Sequence, residues 1–486
     1  MSGHQGTLLD QVRGLLERAV NETGNPRLVA ARARVDEPLR VAIAGRVKAG
    51  KSTLLNALVG EELAPTDAGE CTKIVTWYAD GPGYAVTAYG SDGSVESRPF
   101  TRRHGAIEIS LGRPAEEVEK LEVRLPSGRL RRHTLIDTPG IASLSADVSL
   151  RTMAFLDAEG ERAAQTDAVL YLLRHMHGSD VRFLESFHAD GVSEGTPVNA
   201  VGVLSRADEI GGCRLDAMTA AGRIADRYAA DERLRRLCPV IVPVAGLLGA
   251  AGATLREDEF RVLGQVAALP MDDVIELLLT ADRFADSGEA RRRLLGRLGL
   301  FGVRVSVRLI KDGAIGDAPG LAAALTEESG IGRLREVLTA QFAGRAEVLK
   351  ARSALAVLDE CVAPGSGAAV EAERIRAGAH ELTELRLLRL VRAGRVPGKD
   401  DQLAEMDRLI GGSGIDTYSR LGLDPTAADG EVAEQARAAL SKWQRIAEHP
   451  LSARDLKTAA RAVTRTCEGL LALRTSRDGP RADPTW

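Results

Sequence analysis

The residues with the clearest chemistry lie in AIAGRVKAGKSTLLNAL, residues 42–58. Gly45, Gly50, Lys51 and Ser52 fit the pattern G-x-x-x-x-G-K-[ST] without a mismatch. Such a turn directs successive backbone N–H groups at one point, where the positive end of a helix dipole adds to them. The lysine then reaches the β- and γ-phosphates, and the hydroxyl ligates Mg²⁺. The stretch predicts a loop that binds a nucleoside triphosphate.

The elements on either side of this loop support that interpretation. LRVAIAG (39–45) is an apolar, branched run that predicts a buried strand, and STLLNALVG (52–60) has helical spacing and ends on a glycine. A glycine-rich turn without function is the alternative, and this strand–turn–helix context argues against it. Thr53 follows Ser52 and is included among the expected nucleotide contacts.

A second motif, LIDTPG (135–140), lies 85 residues beyond Ser52 when counted to Asp137. Asp137 follows an apolar strand and is expected to bind Mg²⁺ through water, while the backbone N–H of Gly140 is expected to contact a γ-phosphate. In a chain that also has a phosphate loop, this motif predicts the second half of the same site.

The stretch VGVLSRADE (201–209) supplies a candidate base-reading turn. A carboxylate at the end of a strand, here Asp208, accepts hydrogen bonds from both the ring N–H and the exocyclic amine of guanine. The usual guanine-reading pattern is [NT]-K-x-D, and here Ser205 and Arg206 replace its first two residues. Arg206 could lay its stem and flat guanidinium along the base. In this interpretation VPVAG (242–246), at the end of the following strand, would close the pocket. The alternative is that Ser205 to Asp208 form a surface turn after a strand.

The interval between the two phosphate motifs is unusually long. Thr72, in APTDAGECTKIV (64–75), lies 65 residues before Asp137, so several extra strands must fit between them. Thr72 is the candidate threonine that reaches Mg²⁺ when the γ-phosphate is present, and Thr66, beside Pro65, is its rival.

Length and composition restrict the class of protein. At 486 residues the chain is too long for one core, and its charged and apolar fractions, 27% and 44%, are those of a globular protein. The net charge of −4 gives no general reason to expect nucleic acid as a partner.

Five scattered cysteines argue for a reducing cytosol. No signal peptide or membrane-spanning run is evident, so any membrane contact is expected to be peripheral.

Two smaller clusters of charged or histidine residues are interpreted without a functional role. RLRRH (129–133) is the only tight basic run near the loop region, and it is interpreted as a solvated strand end. His175 and His177 form H-x-H with no third ligand nearby in sequence, which favours a surface loop over a metal site.

The periodicity predicts an α/β unit within helices. An amphipathic helix at 7–21 precedes alternating strands and helices from 38 to about 250, as in a doubly wound, mostly parallel sheet. Beyond about 330 the pattern is helical almost throughout. The simplest arrangement is a helical bundle built from both chain ends, with the nucleotide domain inserted between them. The predicted strands are 73–78, 84–89, 106–110, 120–125, 132–136, 168–173, 198–204 and 239–244, and the predicted late helices are 331–362, 368–393, 401–411, 429–447 and 452–474.

Taken together, these motifs resemble the dynamin superfamily of large GTPases. The chain is similar, more narrowly, to bacterial dynamin-like proteins of the mycobacterial isoniazid-inducible group, the shorter IniC type. The resemblance covers most of the chain and, beyond the pocket, is carried by SRADEIG (205–211), LFGVRVS (300–306), LIGGSG (409–414), RLGLDP (420–425) and EHPL (448–451).

The resemblance implies a P-loop GTPase domain inserted in an α-helical neck and trunk, with GTP or GDP and Mg²⁺ as ligands. The implied units are an N-terminal neck helix (1–36), a GTPase domain (37–330), a helical neck and trunk (331–475) and a flexible tail (476–486). Two heads are expected to pair across their nucleotide pockets, with His175 to Asp180 near that contact. The implied binding set is Gly45, Lys48, Gly50, Lys51, Ser52, Thr53, Thr72, Asp137, Gly140, Ser205, Arg206 and Asp208, of which Lys48, Lys51, Ser52 and Thr72 are the catalytic candidates and Ser52, Thr72 and Asp137 the Mg²⁺ ligands.

Two departures from the eukaryotic pattern bear on catalysis. Gln and Ser, which polarise the attacking water and help hold a monovalent cation, are replaced by Val47 and Lys48. Lys48 could place its ammonium where the cation would sit, or it could point into solvent. The helical part is also short for a dynamin-like trunk, and no apolar tip flanked by lysines is evident. The GLFGV (299–303) and LLGAAG (247–252) stretches are expected in the core of the head instead.

Two functions therefore compete. The first is a GTPase whose head-to-head dimerisation is coupled to membrane remodelling or maintenance. The second is a slow, GTP-gated interaction protein that regulates another dynamin-like subunit. The expected partners are a second copy or a second dynamin-like protein, with possible peripheral membrane lipid and no nucleic acid. The expected location is the cytoplasm, with a peripheral position at the inner face of the plasma membrane as the alternative. A ribosome-associated GTPase would need a basic RNA-binding appendage, which the C-terminal region does not offer.

Overall fold

A computed structural model describes residues 7–61, 63, 74–103, 106–139, 166–174, 200–231, 234, 238 and 240–472. Within these ranges a mixed β-sheet is combined with many helices. The strands are β1 Leu39–Gly45, β2 Val75–Asp80, β3 Ala85–Gly90, β4 Val95–Ser97, β5 Phe100–Arg103, β6 Ala106–Ile109, β7 Val118–Leu125, β8 His133–Asp137, β9 Ala168–Leu173, β10 Ala200–Ser205 and β11 Ile241–Val244.

The helices fall into three groups along the chain. The N-terminal pair is α1 Leu8–Thr23 and α2 Pro26–Asp36. The central helices are α3 Lys51–Val59, α4 Ala217–Ala230, α5 Gly246–Thr254, α6 Glu257–Ala267, α7 Met271–Leu277, α8 Ala281–Asp286, α9 Glu289–Lys311 and α10 Ala318–Glu328. The late helices are α11 Ile331–Gln341, α12 Ala346–Cys361, α13 Gly367–Gly378, α14 His380–Arg392, α15 Asp400–Leu409, α16 Thr417–Leu421, α17 Asp429–Glu448 and α18 Arg454–Ala472.

The main sheet has nine described strands in the order β11-β10-β9-β1-β8-β2-β7-β3-β4. The five from β11 to β8 are parallel, as in a doubly wound fold. Beyond β8, β2 pairs antiparallel, and β2 with β7 and then β3 and β4 extend the sheet. The separate β5–β6 hairpin also lies in the interval between the phosphate motifs. The expectation of extra strands in that interval is confirmed.

The predicted strands match observed strands with bounds that differ by at most two residues, and β4 and β5 were not predicted. The late helices were less accurate. The predicted helix 331–362 is two helices, α11 and α12, separated by a 3₁₀ turn at Ala343–Arg345. The predicted helix 368–393 is also two, α13 and α14, and the short helix α16 was not predicted. The N-terminal region holds two helices where one was expected.

The N-terminal helices complete a bundle with the late helices, as predicted. Thr7 and Asp10 form a capping box at the start of α1, and Gly24 ends it in the left-handed conformation. The apolar stripe of α1, including Val12 and Leu16, shares one buried cluster with Leu355 and Leu358 of α12. The N-terminal helices and α12 therefore bury each other's apolar faces, and the sheet lies between them in sequence.

The core continues from the sheet into the late helices. Leu334 and Leu338 of α11 are buried in the same cluster as Ile43 of β1 and Leu55 of α3. The stretches GLFGV and LLGAAG, expected in the core, contribute the fully buried Phe301 and Leu248 to a further cluster of central helices. No helix in the described ranges is long and apolar enough to cross a bilayer.

The packing of α1 is testable. Leu16 is 0% exposed, so Leu16→Ala should lower the free energy of unfolding by about 2–5 kcal/mol through lost burial and a cavity. Val29→Ala is the matched control, because Val29 on α2 is 49% exposed and its truncation should change stability by less than about 0.5 kcal/mol. Urea unfolding measures both variants. Equal effects would contradict docking of α1 in the bundle.

Candidate nucleotide-binding site

The phosphate loop joins the carboxyl end of β1 to the start of α3. Gly45 ends β1 with φ +153°, and a Cβ there would lie 2.7 Å from the carbonyl oxygen of Leu172 in the adjacent strand β9. Only glycine permits this approach of the two strands. Gly50 is the N-cap of α3 at φ +91°, and no side chain caps that helix. The first N–H groups of α3 are therefore available to an anion.

Lys51 folds back over the loop. Its ammonium donates to the carbonyl oxygens of Gly45 at 3.3 Å and Arg46 at 3.4 Å. Burial lowers the pKa of Lys51, and the nearby charge of Asp137 opposes that shift. A bound triphosphate would favour the charged form of Lys51, because its negative charge would offset the cost of burying the ammonium.

Ser52 and Asp137 are brought together as the sequence predicted. The Ser52 hydroxyl donates to Oδ2 of Asp137 over 3.1 Å, and Oδ1 of the same carboxylate is buried with no hydrogen-bond partner among the described residues. Burial raises the pKa of Asp137 to about 6, although the Lys51 charge and the Ser52 hydrogen bond lower it. A hydroxyl beside a carboxylate with an unused buried oxygen fits Mg²⁺, which prefers oxygen ligands and stabilises the ionised form.

The base-reading turn follows β10. Ser205 is buried and donates to the carbonyl oxygen of Leu173 in β9, at 3.2 Å, so its hydroxyl fixes the end of β10. Arg206 adopts φ +53°, a left-handed conformation that is uncommon for a residue with a side chain. Burial and, to a smaller extent, the charge of Glu209 raise the pKa of Asp208 to about 6.

The phosphate and base ends of the site are in contact. The loop VPVAG ends at Gly246, whose Cβ position would lie 3.3 Å from the Thr53 methyl group on α3. Thr53 therefore packs against the segment that is predicted to close the base end. The predicted phosphate and base residues that the structure describes lie at the carboxyl ends of parallel strands, where ligands bind in such sheets.

Three predicted residues and one segment lie in the part of the chain that the structure does not describe. Thr72 with its rival Thr66, Gly140, and the His175 to Asp180 segment lie outside the described residues. Lys48 is described, and it is exposed at φ +62°. Its neighbour Val47 is 47% exposed and has no group that could polarise water.

The sequence did not predict the Arg206 clamp, in which Glu209 accepts hydrogen bonds from two arginines. Glu209 accepts one hydrogen bond from Arg206 at 2.8 Å and another from Arg174 at 2.5 Å. Arg174 follows β9, so the clamp joins two strand ends that are distant in sequence. It holds the Arg206 guanidinium beside the base-reading turn. The adjacency of Glu209 to Asp208 was visible in sequence, but its pairing with Arg174 was not.

The long helix α9 was also missed as part of the site. It kinks at Gly299, where φ is +67° and ψ is 170°. A Cβ at this position would lie 3.6 Å from Oδ2 of Asp208, so the kink brings backbone close to the base-reading carboxylate. Further along α9, Arg304 donates to the carbonyl oxygens of Gly212 and Cys213 and to those of Leu278 and Leu279. Helix α9 thus supports the loop after Asp208 from two positions.

Comparisons with known proteins place this geometry in a family. The family model described as the dynamin family matches residues 41–185. The chain is 41% identical over 458 residues to the isoniazid-induced protein IniC of Mycobacterium tuberculosis, covering 90% of this chain and 91% of that protein. It is 33% identical over 160 residues to the isoniazid-induced protein IniA of the same organism, covering 31% of this chain and 24% of IniA.

Two further similarities are shorter or weaker. A bacterial dynamin-like protein of Nostoc punctiforme is 46% identical over 54 residues, which is 11% of this chain and 8% of that protein. A solved structure of an oligomerised bacterial dynamin pair aligns with 97% of this chain and 80% of its own, at 14% identity and a TM-score of 0.34. The near full-length similarity to IniC decides the assignment: this chain belongs to the dynamin family, among the bacterial dynamin-like proteins.

Proposed function

We propose that this protein binds and hydrolyses GTP with Mg²⁺, and that pairing of its GTPase heads couples the nucleotide to membrane remodelling or maintenance. The observation that carries the proposal is the Ser52–Asp137 pair beside Lys51 at the uncapped start of α3. Membership of the dynamin family supports the same reaction.

Each described residue has a role in this proposal. The backbone N–H groups from Gly45 to Thr53 surround the phosphates, and Lys51 balances their charge. Ser52 and Asp137 would hold Mg²⁺, which when bound neutralises charge on the β- and γ-phosphates. Thr72 and Gly140 are proposed to complete the site from the γ-phosphate side.

The base end is proposed to select guanine. Asp208 at the turn after β10 is buried, with 6% of its surface exposed, and a buried carboxylate gains most from the two N–H donors on one edge of guanine. Glu209 keeps the Arg206 guanidinium beside that turn, so the flat group can lie along the base. Adenine lacks the matching pair of donors, and a site that leaves a buried carboxylate unpaired discriminates strongly.

Head pairing and membrane action rest on the family alone. A second copy is the simplest partner, and the family relationship to both IniC and IniA makes a second dynamin-like chain an alternative one. A peripheral position at the inner face of the plasma membrane, reached from the cytoplasm, is part of the same proposal.

A slow, GTP-gated regulatory subunit is the second candidate. The specific observation in its favour is Val47, which is exposed in the phosphate loop where a polar group would be needed to polarise water. In that case GTP binding would control association with another subunit, and hydrolysis would only reset it.

Turnover against protein concentration separates the two candidates. If heads complete each other's sites, GTP turnover per molecule should rise with concentration. Lys51→Ala provides the blank, because it removes the charge that faces the β- and γ-phosphates. A flat, slow rate above that blank would favour the regulatory subunit, and a rate equal to the blank would contradict GTP hydrolysis.

Lys48 gives a second test. If its ammonium supplies charge to the leaving β–γ oxygen, Lys48→Ala should lower GTP turnover by at least about tenfold in buffer free of K⁺ and Na⁺. For comparison, an arginine finger that supplies such a charge raises the hydrolysis rate by about 10³–10⁵-fold. Affinity for GDP should be unchanged. Arg46→Ala is the matched control, since Arg46 is also an exposed cation in the loop. Unaltered turnover in Lys48→Ala would mean that the ammonium faces solvent.

The pKa of Asp208 predicts a pH dependence for GDP binding measured in EDTA. Burial raises this pKa from 3.8 to about 6 in the free protein, so the carboxylate is ionised above pH 6 and protonated below. Guanine binds the ionised form, hence affinity should be constant above about pH 7 and fall by up to about tenfold per pH unit below 6. Protonation of Asp137 would act in the opposite direction, because it removes negative charge near the phosphates.

Asp208→Asn is the control for this profile. It should bind GDP weakly at every pH and lose the decline below pH 6. An unmodified decline in Asp208→Asn would show that another group titrates, and the assignment of Asp208 to the base would be wrong.

A further inference from the structure

A cavity of about 460 Å³ lies at the end of α3 that is opposite to the phosphate loop. Its walls come from α5, α10 and α11, and they consist largely of glycine and alanine. Arg129, from the segment between β7 and β8, and Arg335, on α11, are the cations among its described lining residues. The nucleotide-binding site uses neither arginine.

Both arginines reach the last carbonyl groups of α3. Arg335 Nη2 donates to the carbonyl oxygen of Ala57 over 2.8 Å, and Arg129 Nη1 donates to that of Val59 over 3.1 Å. Arg129 crosses directly over Gly60, where a Cβ would lie 2.0 Å from Nη1. The basic run RLRRH, expected to be a solvated strand end, thus turns one half-buried arginine inward.

Within the described residues, these two positive charges have no carboxylate partner. Neither arginine forms an ion pair with any carboxylate in the described ranges, and Glu327, which also lines the cavity, is not paired with them. Arg335 Nε is buried without a hydrogen-bond partner. Burial and, to a smaller extent, the charge of Arg129 lower the pKa of Arg335 to about 10.

The end of α3 does not balance this charge. A helix carboxyl end carries only about half a negative charge, whereas the two guanidinium groups carry two positive ones. Half-buried cations in proteins are normally paired, because an uncompensated charge away from water is costly. The cavity in front of them is large enough for the missing partner, since small-molecule sites begin at about 300 Å³.

We propose that this cavity binds a phosphate group, either as a free phosphate compound or as a lipid headgroup. A phosphate dianion carries the charge that two guanidinium groups require, and its oxygens accept the N–H groups that the α3 carbonyls leave unused. The glycine and alanine walls leave room for a small apolar body attached to the phosphate.

The position of the cavity gives the bound phosphate a consequence. Arg129 belongs to the sheet region and Arg335 to the first late helix, α11. A phosphate held by both would fasten α11 to the far end of the phosphate-loop helix. Binding is therefore expected to raise the thermal unfolding temperature of the full chain.

Isothermal titration calorimetry with inorganic phosphate tests the proposal. The full chain carries Lys51→Ala, which removes the ammonium that faces the phosphates and so weakens anion binding at the phosphate loop, and chloride keeps the ionic strength constant. Saturable binding at one site is expected. Arg335→Gln and Arg129→Gln, each added to this background, should weaken binding by about tenfold or more, since each removes charge-assisted hydrogen bonds.

Arg333→Gln is the matched control. It removes an arginine from the same helix, but Arg333 is 70% exposed and pairs with Glu336. Phosphate affinity should not change in this variant. Far-ultraviolet circular dichroism confirms that each variant is folded, and the two separate arginine variants keep the test valid if one of them is not. Absence of binding, or equal affinity in the Arg129, Arg335 and Arg333 variants, would overturn the proposal.

Vesicle co-sedimentation then distinguishes the source of the phosphate. Vesicles of phosphatidylcholine are compared with vesicles that also contain phosphatidic acid. Binding that requires phosphatidic acid, is displaced by inorganic phosphate and is lost in Arg335→Gln assigns the cavity to a lipid headgroup. Calorimetric binding of inorganic phosphate without vesicle binding assigns it to a free phosphate compound. Because the phosphate loop is inactivated throughout, the result is independent of the proposed GTPase activity.

Discussion

The pairing of β1 with β9 is the constraint on which the rest of this structure depends. At the start of the pair, buried Asp167 accepts hydrogen bonds from the Arg34 guanidinium on α2 and from the Arg40 backbone N–H at 2.7 Å. At its other end, Gly45 lies against Leu172 and opens the phosphate loop. One strand pair thus joins the N-terminal helices to the nucleotide-binding site. Removing one partner of a buried ion pair costs about 3–5 kcal/mol of folding free energy, so loss of Arg34 or Asp167 would strongly destabilise this link.

The candidate site contains three ionisable groups whose charged forms are disfavoured by burial. Burial lowers the pKa of Lys51 and raises the pKa values of Asp137 and Asp208, so all three charged forms are disfavoured in the free protein. A triphosphate, Mg²⁺ and guanine would each supply the opposite charge or the hydrogen-bond donors that one of these groups lacks. Such ligands would therefore stabilise the ends of the strands that carry these residues.

Long cationic side chains join the late helices to their neighbours by reaching backbone carbonyl groups. Lys350 on α12 donates to the carbonyl oxygens of Val35 and Glu37 at the end of α2. Arg345 donates to those of Ile410 and Gly411 in the LIGGSG loop, and Arg335 to that of Ala57 on α3. Each cation lies at a point where carbonyl groups lack helical partners and the helix dipole is negative, as at the ends of α2 and α3.

The amino-acid sequence determined the parts of this protein that depend on local pattern. The strand before Gly45, the helix after Gly50 and the strand before Asp137 follow from runs of apolar residues bounded by glycine or proline, and the structure has them where they were predicted. Tertiary structure decided what depends on residues distant in sequence. The break between α11 and α12 lies where Gly344 approaches Ile415 and Arg345 reaches the LIGGSG loop, so contacts interrupt a pattern that is locally helical. The Arg174–Glu209 pair and the inward turn of Arg129 likewise follow from packing, because a charged side chain has no sequence period that reveals its partner.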